Sequence, residues 1–541
     1  MVVIMARKMK DVLQCAEKQN NYDETDINSI YQYALGIEGK TLLEILQEAN
    51  LTEEDIEWVR TKETDKGLPG KIIEASYFGY ELNSRQEADF GKVGAELKST
   101  PADIDKSTQR YKSGETISVT QIDFSHPVED DFFKSHLYDK LRMLLVIFYH
   151  RNKELPSKLF YNVFYATLFK PSLEDIAIIE SDFHEINRKI RSGNAHLLSR
   201  SDGTYLSTAP KSTKTVFIEP YYGGEKIVKR SFTLRKEYVN VILASYYTRI
   251  KATKEEKFLS EAELLDLKRM TFAEKIQERF KPYLYNSITQ IAETLNLFYK
   301  QTNADFTKLD VSMISKATIP VLTARMLGLK KLKCEEFTKA GIVVKTIFFN
   351  VHGINKEEFR LDDVDFLEIY NSPDPYVEIE VDEETGEEYE VFRTGWTDSE
   401  LYAQLDGLKY LFVVFQEDPD GEIIFKGSKL WAMSNKDIDL AFEDWMDIRK
   451  VLKDGVQLTR VTGGDGERTA NNFPGVADAR RIHLRPHGKK AFYVEANGET
   501  WGNGQLSDTE ELPGGRRMTR QSYWLNNTFV REIVKDLLDK D

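Results

Sequence analysis

At 541 residues, with 41% hydrophobic and 11% aromatic side chains, the chain exceeds one ordinary domain and has the apolar material for two or three packed cores. No apolar run is long enough to span a bilayer, and the start MVVIMARKMK lacks the apolar stretch of a signal peptide, so a cytoplasmic protein without a membrane partner is expected. The net charge of −15 excludes a uniformly basic nucleic-acid coat, but not a groove lined locally by the basic runs 226–236, 251–257, 330–333 and 480–490; acids concentrate in 378–390.

Cys15 and Cys334 match no zinc or redox spacing and read as buried thiols in a reducing compartment. The eight histidines show no HxH, HExxH or His–Cys metal spacing. Gly463-Gly464-Asp465-Gly466 and Gly514-Gly515 read as turns, because no GKS or GKT follows in phosphate-loop spacing, and no use of ATP is expected.

In chain order, residues 26–35 and 41–49 carry helix-like apolar spacing, and Thr52-Glu53-Glu54-Asp55 starts a further helix with acids in its first turn. The stretch 66–101, KGLPGKIIEASYFGYELNSRQEADFGKVGAELKSTP, follows. Its segment 71–77 reads as a short helix carrying Glu74, and 93–98 as a half-buried strand of period 2 that points Glu96 and Lys98 to one face and Val93, Ala95 and Leu97 to the other. Asp89 precedes that strand across a glycine-containing turn. Three carboxylates and an ammonium converging on one point are what a divalent-metal phosphodiesterase needs: hard oxygen ligands for Mg²⁺ and a cation to polarise water or phosphate. The spacing alone is a weak signal in a chain with 89 acidic and 74 basic residues, and solvated surface charge is the plain alternative.

The stretch resembles the catalytic core of the MutH family and of the related GATC-cutting type II restriction endonucleases. The elements that carry the resemblance are Lys66-Gly67, Gly70, Glu74, Asp89-Phe90, Gly94, Glu96-Leu97-Lys98 and Ser99-Thr100-Pro101, with Ser99 where the family has threonine. Upstream, Gly39-Lys40-Thr41-Leu42 is similar to a family helix entry; downstream, 115–119 (ETISV) is strand-like, and 132–149 combines a helix beginning with a buried strand from Met143. Lys140-Leu141 matches a family Lys-Leu pair near the active site, against the plain reading of a solvated helix lysine. Residues 201–214 read as a polar loop suited to contacting nucleic acid. Thr208-Ala209-Pro210-Lys211 stands there in place of the family's I-R-P-K recognition segment, so base reading must differ. Residues 229–243 resemble the family's closing motif, with Thr233 at the position that senses adenine methylation.

The charged break 251–257 sets a domain boundary near residue 255, and 258–301 reads as a long helix or helical pair. Beyond it the first half's pattern returns. Glu336-Phe337-Thr338-Lys339-Ala340-Gly341-Ile342-Val343-Val344-Lys345 aligns without gaps against Asp89 to Lys98, so that Val343 replaces Glu96; Val321 to Gly328 parallels Ile72 to Gly79, so that Thr323 replaces Glu74. Ser399-Glu400-Leu401-Tyr402 with Leu405 parallels Ser135-His136-Leu137-Tyr138 with Leu141, and Ser522 to Leu525 parallels Ser231 to Leu234, with Trp524 at the position of Thr233. Leu484-Arg485-Pro486-His487 keeps the Arg-Pro that the first half lacks. Arginine in such a segment can read guanine bidentately, or it can be a phosphate contact or surface charge.

The expected fold is therefore α/β, with two tandem MutH-like domains, each a mixed β-sheet flanked by helices: residues 1–254 catalytic, residues 255–541 degenerate and DNA-binding. The resemblance implies a Mg²⁺-dependent endonuclease for double-stranded DNA at GATC. Asp89, Glu96 and the Leu97 carbonyl would hold the metal, Lys98 would orient the attacking water and help to deprotonate it, and Glu74 would assist. Lys66 and Lys140 would support the site electrostatically and, with Lys211 and Arg485, serve DNA binding. The second half would act as an effector or dimerisation unit, looping DNA between two sites. A single-strand nickase and a non-catalytic DNA-binding protein are the alternatives.

Overall fold

The computed structural model describes residues 9–13, 21–80, 88–105, 108–152, 154–210, 217–248, 255–295, 297, 318–355, 358–381, 388–463, 466–488 and 490–538. Cys15 and Lys211 lie outside them.

Side-chain caps start the N-terminal helices where the sequence places them. Asp26 accepts from the Asn28 N–H at the head of Ile27–Leu35, and reciprocal capping boxes, Thr41 with Glu44 and Thr52 with Asp55, open Leu42–Glu48 and Glu53–Arg60. Their apolar faces, including Ile30, Ile45, Leu46 and Val59, pack with Leu97, Leu145 and Ile147 behind a sheet.

That sheet is mixed. Glu96–Ile104 lies between Tyr111–Ser113, antiparallel, and Leu144–His150, parallel; Asn162–Phe169 completes it antiparallel to Leu144–His150. The parallel register sets Glu96 beside Leu144 and Lys98 beside Val146. Leu144–His150 is covered on both faces, which is why its sequence is apolar throughout instead of alternating. The long helix Leu173–Arg191 packs Ile178, Ile179 and Phe183 against the face bearing Leu144, Val146 and Phe148. A second, antiparallel sheet takes Arg230–Leu234 between Ile117–Gln121 and Leu206–Pro210 and leads into the helix Lys236–Thr248.

Among the described residues of 258–301 there is no long helix or helical pair. Capping boxes at Ser260, Thr271 and Ser287 restart the chain as Glu261–Leu264, Phe272–Phe280 and Ile288–Thr294, and Pro282 sits in the turn after Phe280. The apolar spacing was helical, but the caps within it cut it into pieces.

Past residue 318 come the helices Thr318–Met326 and Glu335–Ala340, then a mixed sheet in which Ile342–Phe349 runs parallel to Lys409–Glu417 and Ile423–Ala432 antiparallel to it. Glu400–Gly407 precedes the central strand and Asn435–Asp454 follows the sheet. An antiparallel sheet takes Gln521–Leu525 between Phe359–Asp363 and Ile482–Pro486, and Asn527–Leu538 closes the described chain.

The cores are not divided at residue 255. One continuous apolar cluster joins Val146, Phe148, Phe183 and Leu243 to Phe272, Phe337, Leu411, Val413 and Phe415. Polar contacts cross the same seam: Lys339 Nζ meets Asp175 Oδ1 at 2.6 Å, Arg200 meets Asp406 at 2.6 Å, and Arg235 Nη2 donates to the Gly407 carbonyl at 3.0 Å. Among the described residues no helix is long and apolar enough to cross a membrane.

Candidate active site

A tight turn builds the site. Gly94 N–H and Ala95 N–H turn back on the Phe90 carbonyl, and Phe90 N–H donates to the Ala95 carbonyl at 2.8 Å. Gly94 sits at φ +68°, which requires glycine, and the Arg142 guanidinium lies over it where a Cβ would stand. The strand itself begins at Glu96, three residues later than the alternation suggests, because 91–94 form this turn.

The turn folds Asp89 onto the start of the strand. Asp89 N–H donates to Glu96 Oε2 at 3.1 Å, and Leu97 N–H donates to Asp89 Oδ2 at 2.9 Å. Strand alternation puts Lys98 on the face of Glu96, with Nζ 2.8 Å from Oε1. Lys140, from the helix His136–Leu141, reaches the same oxygen at 3.1 Å. Glu96 is 1% exposed and Lys140 7%, so Lys140 faces the carboxylate and not the surface.

Glu74 arrives from a different element. The helix Leu68–Lys71 continues as a π-helical turn, Ile72–Tyr77, a form concentrated at functional sites. Gly70 lets this segment press on the strand: a Cβ there would stand 2.9 Å from Ser99 Oγ and 3.9 Å from Glu74 Oε1.

The charges describe one coupled cluster. Burial, then the neighbouring charge of Asp89, pushes the Glu74 carboxyl up to about 7 despite the help of Lys98. Burial and Glu96 push Asp89 up to about 6. Burial works against the charge on Lys98, but Glu96, Asp89 and Glu74 together outweigh it and raise its ammonium pKa, so Lys98 holds its proton at neutral pH. Asp89, Glu96 and Lys98 are thus in direct contact, and Glu74 stands near enough to feel their charges.

Carboxylate oxygens crowded until they resist ionisation are the hard donor set that a divalent cation suits, and the residues fit one chemically. They are not a preformed cage: among the described residues no three His, Cys, Asp or Glu side chains are grouped closely enough to hold a metal ion.

The remaining predicted residues lie elsewhere. Lys66 is 71% exposed and pairs with Asp398, from beyond the seam, at 2.5 Å. Arg485 lies over the Trp524 ring with 5.1 Å from its guanidinium carbon to the ring centre, and it pairs with Glu358. Of the polar stretch 201–214, residues 211–214 lie outside the described residues, and the described part is not an open loop: Leu206–Pro210 is a strand with Thr208 and Ala209 buried, and the Asp182 carboxylate takes the N–H groups of Thr204, Tyr205 and Leu206. Thr233 is buried as well.

Sequence reasoning missed three contributors. Arg142 fills the space over Gly94, Glu358 holds Arg485, and Arg230, buried beside Thr208, donates to its hydroxyl and carbonyl at 3.1 and 3.0 Å. Only Arg230 left a signal, as the basic residue opening the strand-like run at 230–234.

A family profile described as the DNA mismatch repair enzyme MutH matches residues 78–182, a span that holds Asp89, Glu96, Lys98 and Lys140. The type II restriction enzyme Sau3AI of Staphylococcus aureus is 28% identical over 486 residues, covering 86% of this chain and 91% of that enzyme. The DNA mismatch repair protein MutH of Vibrio cholerae is 28% identical over 187 residues, 34% of this chain and 81% of that protein. MutH of Vibrio campbellii is 26% identical over 222 residues, 40% of this chain and 93% of that protein. The MutH profile ends at residue 182 and the two MutH proteins match no more than 40% of the chain, whereas the match to the restriction enzyme, at 86% of the chain, extends into both halves. The chain is a site-specific deoxyribonuclease, similar along most of its length to a type II restriction enzyme and, within residues 78–182, to MutH.

Proposed function

We propose that the chain makes Mg²⁺-dependent double-strand cuts at a short palindrome, GATC by family resemblance, with residues 1–254 cleaving and residues 255–541 binding a further stretch of DNA as an effector or dimerisation unit. The observation that carries the reading is the knot of Asp89, Glu96 and Lys98 across the Gly94 turn, in a chain similar along most of its length to a restriction enzyme.

Asp89, Glu96 and the Leu97 carbonyl would hold the cation, which when bound neutralises charge on the scissile phosphate and eases ionisation of the attacking water. Lys98 keeps its proton and so orients the water and steadies the phosphate as a cation. Glu74, closest to neutrality in pKa, takes the water's proton on its carboxylate. The water oxygen bonds to phosphorus, the bond to the 3′ oxygen breaks and that oxygen takes a proton from solvent, so the ends are a 5′-phosphate and a 3′-hydroxyl. Lys140 neutralises Glu96 from behind, and Lys66, Lys211 and Arg485 engage DNA.

The second half is proposed to be a degenerate copy. In support, Val343 pairs in parallel with Tyr410 and Lys345 with Phe412, as Glu96 does with Leu144 and Lys98 with Val146. Gly341 shares the φ of +68° with Gly94, and Gly328, at +76°, stands near Gly79, at +73°. The chemistry has gone: Thr323 donates to its own helix at the Ile319 carbonyl, Val343 is 45% exposed, and Glu336 accepts the N–H groups of Phe258 and Leu259. Lys345 lies over the rings of Phe359 and Tyr410, where burial alone pushes its pKa down.

Plasmid incubated with the protein and Mg²⁺ tests the reading. A fixed set of linear fragments is expected, whose sequenced ends give the target. Nicked circles alone would favour the repair-type nickase, and a mobility shift without cleavage a binding protein.

A further inference from the structure

The N-terminal helices do not enter the chemistry, yet they hold the element that carries Glu74. In Ile72–Tyr77 the Phe78 N–H reaches back five residues to the Ile73 carbonyl at 3.1 Å, and Tyr80 N–H closes on the Glu74 carbonyl at 2.9 Å. A wide turn of this kind rotates the side chains that follow it relative to a continued α-helix, and it persists only where its surroundings over-determine it.

Here the surroundings are tyrosines. Tyr33 Oη donates to the Tyr77 carbonyl at 2.9 Å while Tyr77 Oη donates to the Tyr33 carbonyl at 2.8 Å, with the ring centres 4.7 Å apart. Tyr22 Oη donates to the next carbonyl, that of Phe78, at 3.1 Å. Two carbonyls at the end of the π-turn are therefore held by phenols from 22–33. Gly36 makes room for this: a Cβ there would stand 3.1 Å from Tyr77 Oη.

The stretch 321–328 serves as an internal control. It parallels 72–79 residue for residue, with Thr323 at Glu74 and Met326 at Tyr77. There the chain is an α-helix, Thr318–Met326, in which the Leu327 N–H reaches back four residues to Thr323, and a five-residue reach-back comes only past the helix end, from the Leu329 N–H to the Ala324 carbonyl. Where the carboxylate is gone, the π-turn and the tyrosine are gone with it.

We infer that Tyr33 and Tyr77 are positioning residues for Glu74: their reciprocal hydrogen bonds hold open the π-turn that aims this carboxylate at Asp89, Glu96 and Lys98. The inference rests on the proposed role of Glu74. The test is single-turnover cleavage of plasmid at saturating Mg²⁺ by Tyr33→Phe and Tyr77→Phe, which keep the rings and remove one oxygen each. Each is expected to cut about tenfold more slowly, with the half-saturating DNA concentration unchanged. Adding Tyr77→Phe to Glu74→Gln, or to Glu74→Asp should the glutamine variant be too slow to time, should change nothing further, because the tyrosine acts through Glu74.

Wild-type rates in both tyrosine variants, with Glu74→Gln slow, would overturn the inference alone; so would an equal slowing in both backgrounds, the mark of a general structural role. A wild-type rate in Glu74→Gln would remove the reading of Glu74 beneath it. If a phenylalanine variant fails to fold, Gly36→Ala, which crowds Tyr77 Oη, is read by the same criteria.

Discussion

Lys98 and Lys140 meet on a single oxygen, Glu96 Oε1, at 2.8 and 3.1 Å, one from the same strand and the other from a helix 44 residues beyond Glu96. Two ammonium groups on one buried carboxylate stabilise the charge of Glu96, and each depends on Glu96 for its own burial.

Removing Lys140 should therefore damage stability as well as cleavage. Lys140→Met leaves Glu96 with one cation, and loss of a partner from a buried pair costs about 3–5 kcal/mol. Urea denaturation without added metal should show most of that loss, while a second phosphate-facing role would instead appear as weakened DNA binding.

The raised carboxyl pKa values set a pH dependence. Glu74 at about 7 and Asp89 at about 6 lie above the ordinary carboxylate range, so between that range and 7 the folded protein binds more protons than the unfolded chain. The stability this brings is complete at acid pH and is lost as pH rises through 7. A cation needs the ionised forms, so Mg²⁺ binding should tighten from pH 5.5 to 8, by up to about tenfold per pH unit for each proton released. Calorimetry in buffers of different ionisation enthalpy should detect the released protons, fewer of them in Glu74→Gln.

The second half should not be repairable at one position. If the second half is the degenerate copy proposed above, Val343→Glu restores a carboxylate at the counterpart of Glu96, but Glu336, the proposed counterpart of Asp89, is committed to the Phe258 and Leu259 N–H groups. Val343→Glu placed in Glu96→Ala should cut no DNA; fragments from that double variant would show the second pocket to be competent.

The shared core predicts joint unfolding. Five of the six tryptophans, Trp396, Trp431, Trp445, Trp501 and Trp524, lie beyond residue 255, so in a Trp58→Phe background fluorescence reports the second half, while cleavage reports the half proposed to cut. In urea the two should be lost together, because Phe183 and Leu243 belong to one cluster with Leu411 and Phe415. Two separated transitions would mean that the halves are independent.

Arg485→Ala should weaken DNA binding with intact Glu96 geometry. Loss of a bidentate guanine contact is worth about 1–3 kcal/mol, read as a rise in Kd with the cleavage rate at saturating DNA retained.

Much of the site was legible because its signals are local. Asp89, the Gly94 turn and Glu96-Leu97-Lys98 sit within ten residues, and strand alternation alone puts Glu96 and Lys98 on one face. The helices after Asp26 and Thr41 were legible from their apolar spacing and the one after Thr52 from the acids in its first turn, and the caps at all three agree. The π-turn at Glu74 was not, since its apolar spacing also suits an α-helix and the tyrosine clamp comes from 44 residues away. Nor was the burial of Thr208, whose hydroxyl and carbonyl are met by the Ser199 carbonyl and by Arg230, 22 residues further along the chain. Polar composition suggested a loop there; tertiary hydrogen bonds made it a strand.

The central claim is that the carboxylate of Glu96 makes this chain a nuclease. Supercoiled plasmid with Mg²⁺ should be cut to a fixed set of fragments by the wild-type protein, while Glu96→Ala, still binding the DNA, should leave it intact over a thousandfold longer incubation, about the 4 kcal/mol that electrostatic stabilisation at such a site supplies. Cleavage by Glu96→Ala at the wild-type rate would contradict the account.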